Sequence, residues 1–321
     1  MRVARILFVD GLLMLSAILV VGATAWSATP PSQRGKADLV LNWKPEPQFG
    51  GFYRAEAAGY LKGEGADIRV KPGGAGTPVV QMVASGAALF GIASADEVVI
   101  SQSRGSDVVA LFAVYQTNPQ AIMAHASRGF SKLGDLFAAS GTLAMQQGLA
   151  YAQYLQRKYP KAKVKVVPYS GGISSFLADD NFAQQCFFTS EPLAAKRVGK
   201  ATSVFLVADE GYNPYTTVLI ARRETVASKN GLVQAVVRAV RKGWDDYLLD
   251  PTATNAMMQK LNPSMDAETF RLSAEVQKPL IKTSQPLGSM SEERWKTLAG
   301  QLVDLGVIKS APKASNLFVN Y

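Results

Sequence analysis

Asn42, Trp43 and Glu46 fall within five positions of one another in the stretch 39–53, beside Phe49, Tyr53 and the pair Gly50-Gly51. An indole within a ring of polar groups is suited to a flat, heterocyclic ligand. Comparable groups recur at the ends of later apolar runs: Ser94, Tyr115, Gln116, Tyr169, Glu191 and Tyr215. Trp43, Tyr115 and Tyr215 are candidates for stacking, with Tyr53 and Tyr169 behind them. Asn42, Ser94, Gln116 and Glu191 are candidates for hydrogen bonds. Glu191, opening a helix ahead of Pro192, is expected to stay ionised and to accept hydrogen bonds from the edge of such a ligand. Each has a structural alternative: Trp43 could close the core, and Ser94 could do no more than cap a helix with Glu97. The chemistry is that of binding. The single histidine, His125, has no evident acid partner, and the single cysteine, Cys186, lies in an apolar run. No Gly-x-Ser-x-Gly, His-Glu-x-x-His or Walker A pattern occurs. Gly73-Gly74-Ala75-Gly76-Thr77 lacks the lysine of a phosphate-binding loop. No catalytic residue, metal site or cofactor is assigned.

The elements that would position these residues alternate. Leu39-Val40-Leu41 is a buried strand, stopped by Pro45 and Pro47, after which Gly50-Gly51 turns the chain into a helix over 52–58. Strands over 66–70, 89–93 and 108–114 follow, with helices from 79 and 95 between them, which reads as parallel βαβ units. A second set has strands over 121–124, 142–145, 164–167, 184–188, 202–207 and 217–221, with helices over 133–136, 146–159 and 192–198. From 230 onward only helices are expected, over 230–249, 252–260, 266–277 and 291–305, punctuated by prolines and read as packing. The pattern predicts an α/β protein of two lobes with a cleft between them: 38–117 with 218–321 as lobe 1, and 118–217 as lobe 2. Crossings near 115–121 and 213–221 would serve as the hinge.

Arg2 and Arg5 precede an apolar run from Gly11 to Val21, and Ala23-Thr24-Ala25 has the spacing used by a signal peptidase. Residues 1–25 are thus expected to be a cleaved signal peptide and 26–37 a tether, with no cysteine near the cleavage site for a lipid. Asp10 leaves an uncleaved anchor as the alternative. The 321 residues carry a net charge of +9 without long Lys/Arg runs, so no nucleic-acid partner is expected.

Asn42 to Pro47, Gly50 to Tyr53, Gly59 to Gly65, Gly73 to Gly76, Ala95-Asp96-Glu97 and Thr189 to Pro192 together resemble the NMT1/THI5-like family. The resemblance covers roughly 38–221. It implies a periplasmic binding protein of type II whose C-terminal helices pack back on lobe 1. It further implies a periplasmic, monomeric carrier passing a small molecule, foremost a thiamine-precursor pyrimidine, to an ABC permease of the inner membrane. Ligands of the sulfonate, nitrate or riboflavin type are the alternative within that class. A eukaryotic branch is a synthase marked by a cysteine-rich signature, but the corresponding stretch 211–217 contains no cysteine.

Overall fold

The computed structural model describes residues 37–321. The expected signal peptide and tether lie outside the described residues, except Ala37, which opens the first strand. Ten strands are described: β1 (Ala37–Val40), β2 (Ile68–Lys71), β3 (Phe90–Ala93), β4 (Val108–Tyr115), β5 (Gln120–His125), β6 (Thr142–Met145), β7 (Lys165–Pro168), β8 (Phe182–Phe187), β9 (Thr202–Leu206) and β10 (Thr216–Arg222). They form two five-stranded sheets, β2-β1-β3-β10-β4 and β7-β6-β8-β5-β9.

The first four strands share one direction, as expected, and each sheet also takes in an antiparallel strand. β1, β2 and β3 are parallel, but β10 enters antiparallel between β3 and β4, with Val218 opposite Ala93 and Leu219 opposite Phe112. β5 likewise runs antiparallel to both β8 and β9. The reason is topological. The chain leaves the first sheet at β4 and re-enters it at β10 running the opposite way, so β10 pairs antiparallel with both neighbours.

The two crossings, 116–119 and 207–215, are tied to each other. Asn118 N–H donates to Asn213 Oδ1 at 2.8 Å, and the Arg294 guanidinium donates to the Asn213 carbonyl at 2.8 and 3.0 Å. Arg294 sits on the helix Glu292–Asp304. The C-terminal helices therefore clamp the crossings as well as cover the first sheet. At the start of β10, Thr217 has φ of 55°. A β-branched residue in that region is strained, and the strain falls where the return crossing feeds the sheet.

Gly50 and Gly51 do not turn the chain. They begin the helix Gly50–Ala57, and their role is close approach. A Cβ on Gly50 would lie 2.1 Å from the Tyr247 ring, and one on Gly51 would lie 2.1 Å from the Trp244 ring. Gly243 reciprocates: its Cβ would lie 2.3 Å from the Gly51 carbonyl. Three glycines thus let the helix Asn230–Leu249 seat two large aromatics directly on the first helix, and Trp244 and Tyr247 are 0% and 1% exposed. Mutual burial of this kind is worth roughly 1.5–3 kcal/mol per large apolar side chain.

In the second lobe the helix expected over 146–159 begins only at Ala150. The preceding turn is held open by a buried glutamine: Gln185 Oε1 accepts from Gln146 N–H at 2.6 Å. Short helices at Ser174–Ala178, Arg223–Ser228 and Lys278–Ile281 were not anticipated; all are too short for apolar periodicity to register.

Candidate functional site

The loops after β1, β2 and β3 in the first lobe, and after β6, β7 and β8 in the second, lie at the carboxyl ends of their strands. Ligands of open α/β sheets bind there. The loop after β1 is shaped by its prolines. Pro47 opens a short 3-10 helix, Pro47–Phe49, and Trp43 Nε1 donates to Glu46 Oε1 at 3.2 Å. Gly73 N–H donates to the Trp43 carbonyl at 3.1 Å, and a Cβ on Gly73 would lie 2.0 Å from the Leu41 carbonyl oxygen. Only glycine lets the β2 loop press against the β1 loop in this way.

Two residues from the C-terminal helices brace that loop from behind. Asn262 Nδ2 donates to the Pro45 carbonyl at 3.1 Å, and Gln277 Nε2 donates to the Pro47 carbonyl at 3.2 Å. Gln277 Oε1 also accepts from the Tyr115 hydroxyl at 2.7 Å. Gln277 is 0% exposed, so its amide is satisfied wholly by groups of the fold.

On the second lobe, Glu191 is held by its own strand and by the neighbouring loop. Its Oε2 accepts from Phe187 N–H at 2.9 Å and its Oε1 from the Tyr169 hydroxyl at 3.0 Å. Gln184 Nε2 donates to the Gly172 carbonyl at 2.9 Å and fixes the loop that carries Tyr169. Gln184 and Gln185 point to opposite faces of β8, and both are buried. Two amides in an otherwise apolar strand are the sequence signal that buried polar anchors lie there.

The electrostatics set this cleft apart. Burial, and then the facing Glu191 carboxylate, push Glu46 up to about 8 against the Trp43 hydrogen bond and the Lys44 charge. Burial also raises Glu191 above the ordinary carboxylate range, against its hydrogen bonds from Phe187 and Tyr169. Burial thus works against the ionised form that a helix N-terminus is expected to favour. The helix it opens, Glu191–Arg197, has two turns at most, and desolvation outweighs the stabilisation such a terminus provides.

The nine candidate residues divide into half-buried groups at strand ends and groups engaged by the fold. Asn42 and Trp43 on one lobe, and Tyr169 and Glu191 on the other, are half-buried at the carboxyl ends of their strands. Tyr53 is only 2% exposed and lies in the core beneath the first sheet. Tyr115 is 0% exposed and supports the cleft floor from within, with Thr189 against it and its proton committed to Gln277. Gln116 turns away, its amide donating to the Ala113 and Ser289 carbonyls at 3.2 Å each. Tyr215 packs on the hinge, where its hydroxyl accepts from Ser291 N–H at 3.0 Å and the Arg294 guanidinium lies 3.9 Å from its ring centroid. Ser94 is engaged in its cap. Its N–H donates to Glu97 Oε2 at 2.8 Å, and its hydroxyl donates to Asp96 and Glu97. Glu46, passed over as a candidate although it stands in the same loop as Trp43, joins the half-buried group; its flanking prolines were the available signal.

His125 and Cys186 have structural settings. His125 Nε2 is 2.8 Å from the Phe176 carbonyl, its ring stacks on Phe176 at 3.8 Å, and Nδ1 lies 3.4 Å from Asp180. Asp180 is the acid partner that the sequence did not reveal. Cys186 is 2% exposed, and burial pushes its thiol well above the ordinary range, which leaves it unreactive.

The lobes meet on both flanks of the cleft. Arg197 pairs with Asp266 on one side, while Arg157 donates to the Asp304 carbonyl and Gln301 Nε2 to the Gly211 carbonyl at 2.8 Å on the other. Phe188, from the second lobe, packs against the first-lobe core.

Comparison with known proteins agrees with this architecture. The formylaminopyrimidine-binding protein of Halalkalibacterium halodurans is 20% identical over 307 residues, covering 90% of this chain and 91% of that protein. The riboflavin-binding protein RibY of Chloroflexus aurantiacus is 25% identical over 71% of this chain and 66% of its own length. Among solved structures, the periplasmic aliphatic sulphonate binding protein SsuA of Escherichia coli superposes with a TM-score of 0.67 at 14% identity, covering 88% of this chain and 92% of that one. The fold is that of a periplasmic binding protein. The model of the family described as NMT1/THI5 like matches residues 46–254, more than half of the sequence, and the chain belongs to that family.

Proposed function

We propose that this protein is the exported, periplasmic solute-binding component of an ABC importer, and that it carries a small amino-bearing heterocycle, foremost a thiamine-precursor pyrimidine. The observation that carries this reading is Glu191. A carboxylate anchored by Phe187 N–H and the Tyr169 hydroxyl, with lone pairs left over, accepts from an exocyclic amine and its neighbouring ring N–H. Trp43, across the cleft, supplies a face on which the ring stacks. The similarity to the Halalkalibacterium formylaminopyrimidine-binding protein supports the same class. The Glu191 carboxylate disfavours an anion, so sulfonate and nitrate fit beside it poorly. In this reading 38–117 with 218–321 forms one moving body and 118–217 the other. They close about the paired crossings, with Arg197–Asp266 and Arg157–Asp304 as clasps.

A thermal-shift screen of the protein from Trp26 onward tests it, with hydroxymethyl- and formylamino-pyrimidines, thiamine, riboflavin, purines, taurine, an alkanesulfonate and nitrate. A ligand at 100 times its Kd adds about 2.7 kcal/mol, which raises the midpoint by several degrees. A shift with an aminopyrimidine and none with the anions is expected. A shift with an alkanesulfonate alone overturns the reading.

A further inference from the structure

The second sheet begins β7-β6-β8, so the end of β6 lies between the ends of two parallel neighbours. Tyr169 follows β7, Glu191 lies beyond β8, and their 3.0 Å hydrogen bond joins the loops on either side of β6. Between them stands Gln146, the first residue after β6 and one step past the Met145–Pro168 pair. Its side chain is exposed, yet it is not free to turn. Gln185, buried on β8, holds it at two points. Gln185 Oε1 accepts from Gln146 N–H at 2.6 Å and from the Tyr151 hydroxyl, while Gln185 Nε2 donates to Gln146 Oε1 at 2.9 Å. A backbone N–H can only donate, so the Gln185 atom that receives it is the oxygen. The Gln185 nitrogen is then the atom left for the Gln146 side chain, which must turn its own oxygen toward it. The Gln146 NH2 is left over, with no hydrogen-bond partner among the described residues. The turn itself is closed by Leu149 N–H donating to the Gln146 carbonyl at 3.0 Å.

We infer that Gln146 is a specificity-determining residue, whose preset NH2 donates to an acceptor on the same ring whose amine Glu191 receives. This rests on the binding-protein reading above and narrows its ligand class. The ring must carry, beyond the amine and the adjacent nitrogen that Glu191 takes, a second acceptor such as a ring nitrogen or a carbonyl oxygen. A carboxylate only accepts and an amide nitrogen only donates, so the two side chains read opposite polarities on one ligand. Gln185 sets the donor's direction before the ligand arrives, so little rotamer freedom is lost on binding. A ring with C–H in place of the acceptor desolvates the NH2 without pairing it, and unpaired polar groups discriminate strongly.

Paired titrations at pH 7, followed by tryptophan fluorescence, test this with 4-aminopyrimidine and 2-aminopyridine. The second probe keeps the amine and the ring nitrogen beside it but has C–H where the first has its other nitrogen. The readout is the ratio of the two Kd values, in which any general effect of a substitution cancels. Gln146→Leu is expected to reduce the preference for 4-aminopyrimidine by roughly tenfold, as loss of a matched donor does. Gln146→Glu, which puts an acceptor where the donor stood, is expected to reduce it at least as far. The side chain is exposed, so both variants are expected to keep the unfolding midpoint of the unaltered protein. A ratio unchanged in either folded variant overturns the role of Gln146 and leaves the binding-protein reading standing. Failure of the unaltered protein to bind either ring overturns the ligand class, and the inference falls with it.

Discussion

Glu46→Gln has a consequence that can be measured with no ligand present. The unfolded chain titrates Glu46 at its ordinary value of 4.5, and the folded protein titrates it at about 8. Between these values the folded state holds a proton that the unfolded state has lost, so stability falls as pH rises. The contribution is most favourable below 4.5, declines through the window, and is fully lost above about 8. Each pH unit in the window is worth at most about 1.4 kcal/mol. Glu46 is half-buried, and water screens part of the effect, which leaves on the order of 2–4 kcal/mol over the whole window. For a chain of this size that is roughly a 5–10 °C fall in midpoint between about pH 5 and pH 8.5. A glutamine at this position cannot ionise, so the variant lacks this slope, and the difference between the two curves reports Glu46 together with its coupling to Glu191. The assay is thermal unfolding by circular dichroism at half-unit pH intervals. Parallel curves for the two proteins would refute the argument that the facing carboxylates disfavour each other's charge.

Further changes probe the frame and the site. Gly51→Ala places a methyl in the Trp244 ring and is expected to destabilise by about 1–3 kcal/mol in urea titration, whereas Gly63→Ala, with open space at its Cβ, is expected to be neutral or stabilising by up to about 1 kcal/mol. Gln277→Leu strips partners from the Tyr115 hydroxyl and the Pro47 carbonyl; a loss of about 2–3 kcal/mol is expected, together with weaker ligand binding as the β1 loop loosens, and unchanged affinity would show that the brace is dispensable. Trp43→Ala is expected to abolish ligand-induced thermal shifts while the unliganded midpoint stays within a few degrees; normal affinity would remove Trp43 from the site. Glu191→Gln should weaken aminopyrimidine binding at least tenfold, and calorimetry showing an undiminished Kd would remove its carboxylate from ligand recognition.

Much of this protein was determined by short-range patterns. Apolar runs at 39–41, 108–114 and 217–221 had to be strands, because each is too short for a helix and bounded by turn residues. The Ser94–Glu97 cap is likewise complete within four residues, and Asn42 to Tyr53 marked the first lobe's cleft loop because its prolines forbid a strand wherever the chain goes next. Tertiary structure decided the direction of β10, since only the return from a second sheet reverses the chain. It turned Gly50 and Gly51 from a turn into a seat for Trp244 and Tyr247, which lie far away in sequence. It also sorted the strand-end side chains. Tyr115, Gln116 and Tyr215 sit beside one another in register at the hinge, yet which face each presents depends on the helices behind, so their partners Gln277, Ser289 and Arg294 could not be read locally. The Glu46–Glu191 pair shows the limit most plainly. Each carboxylate is ordinary in its own loop, and the repulsion that gives them their character exists only once two lobes are brought face to face.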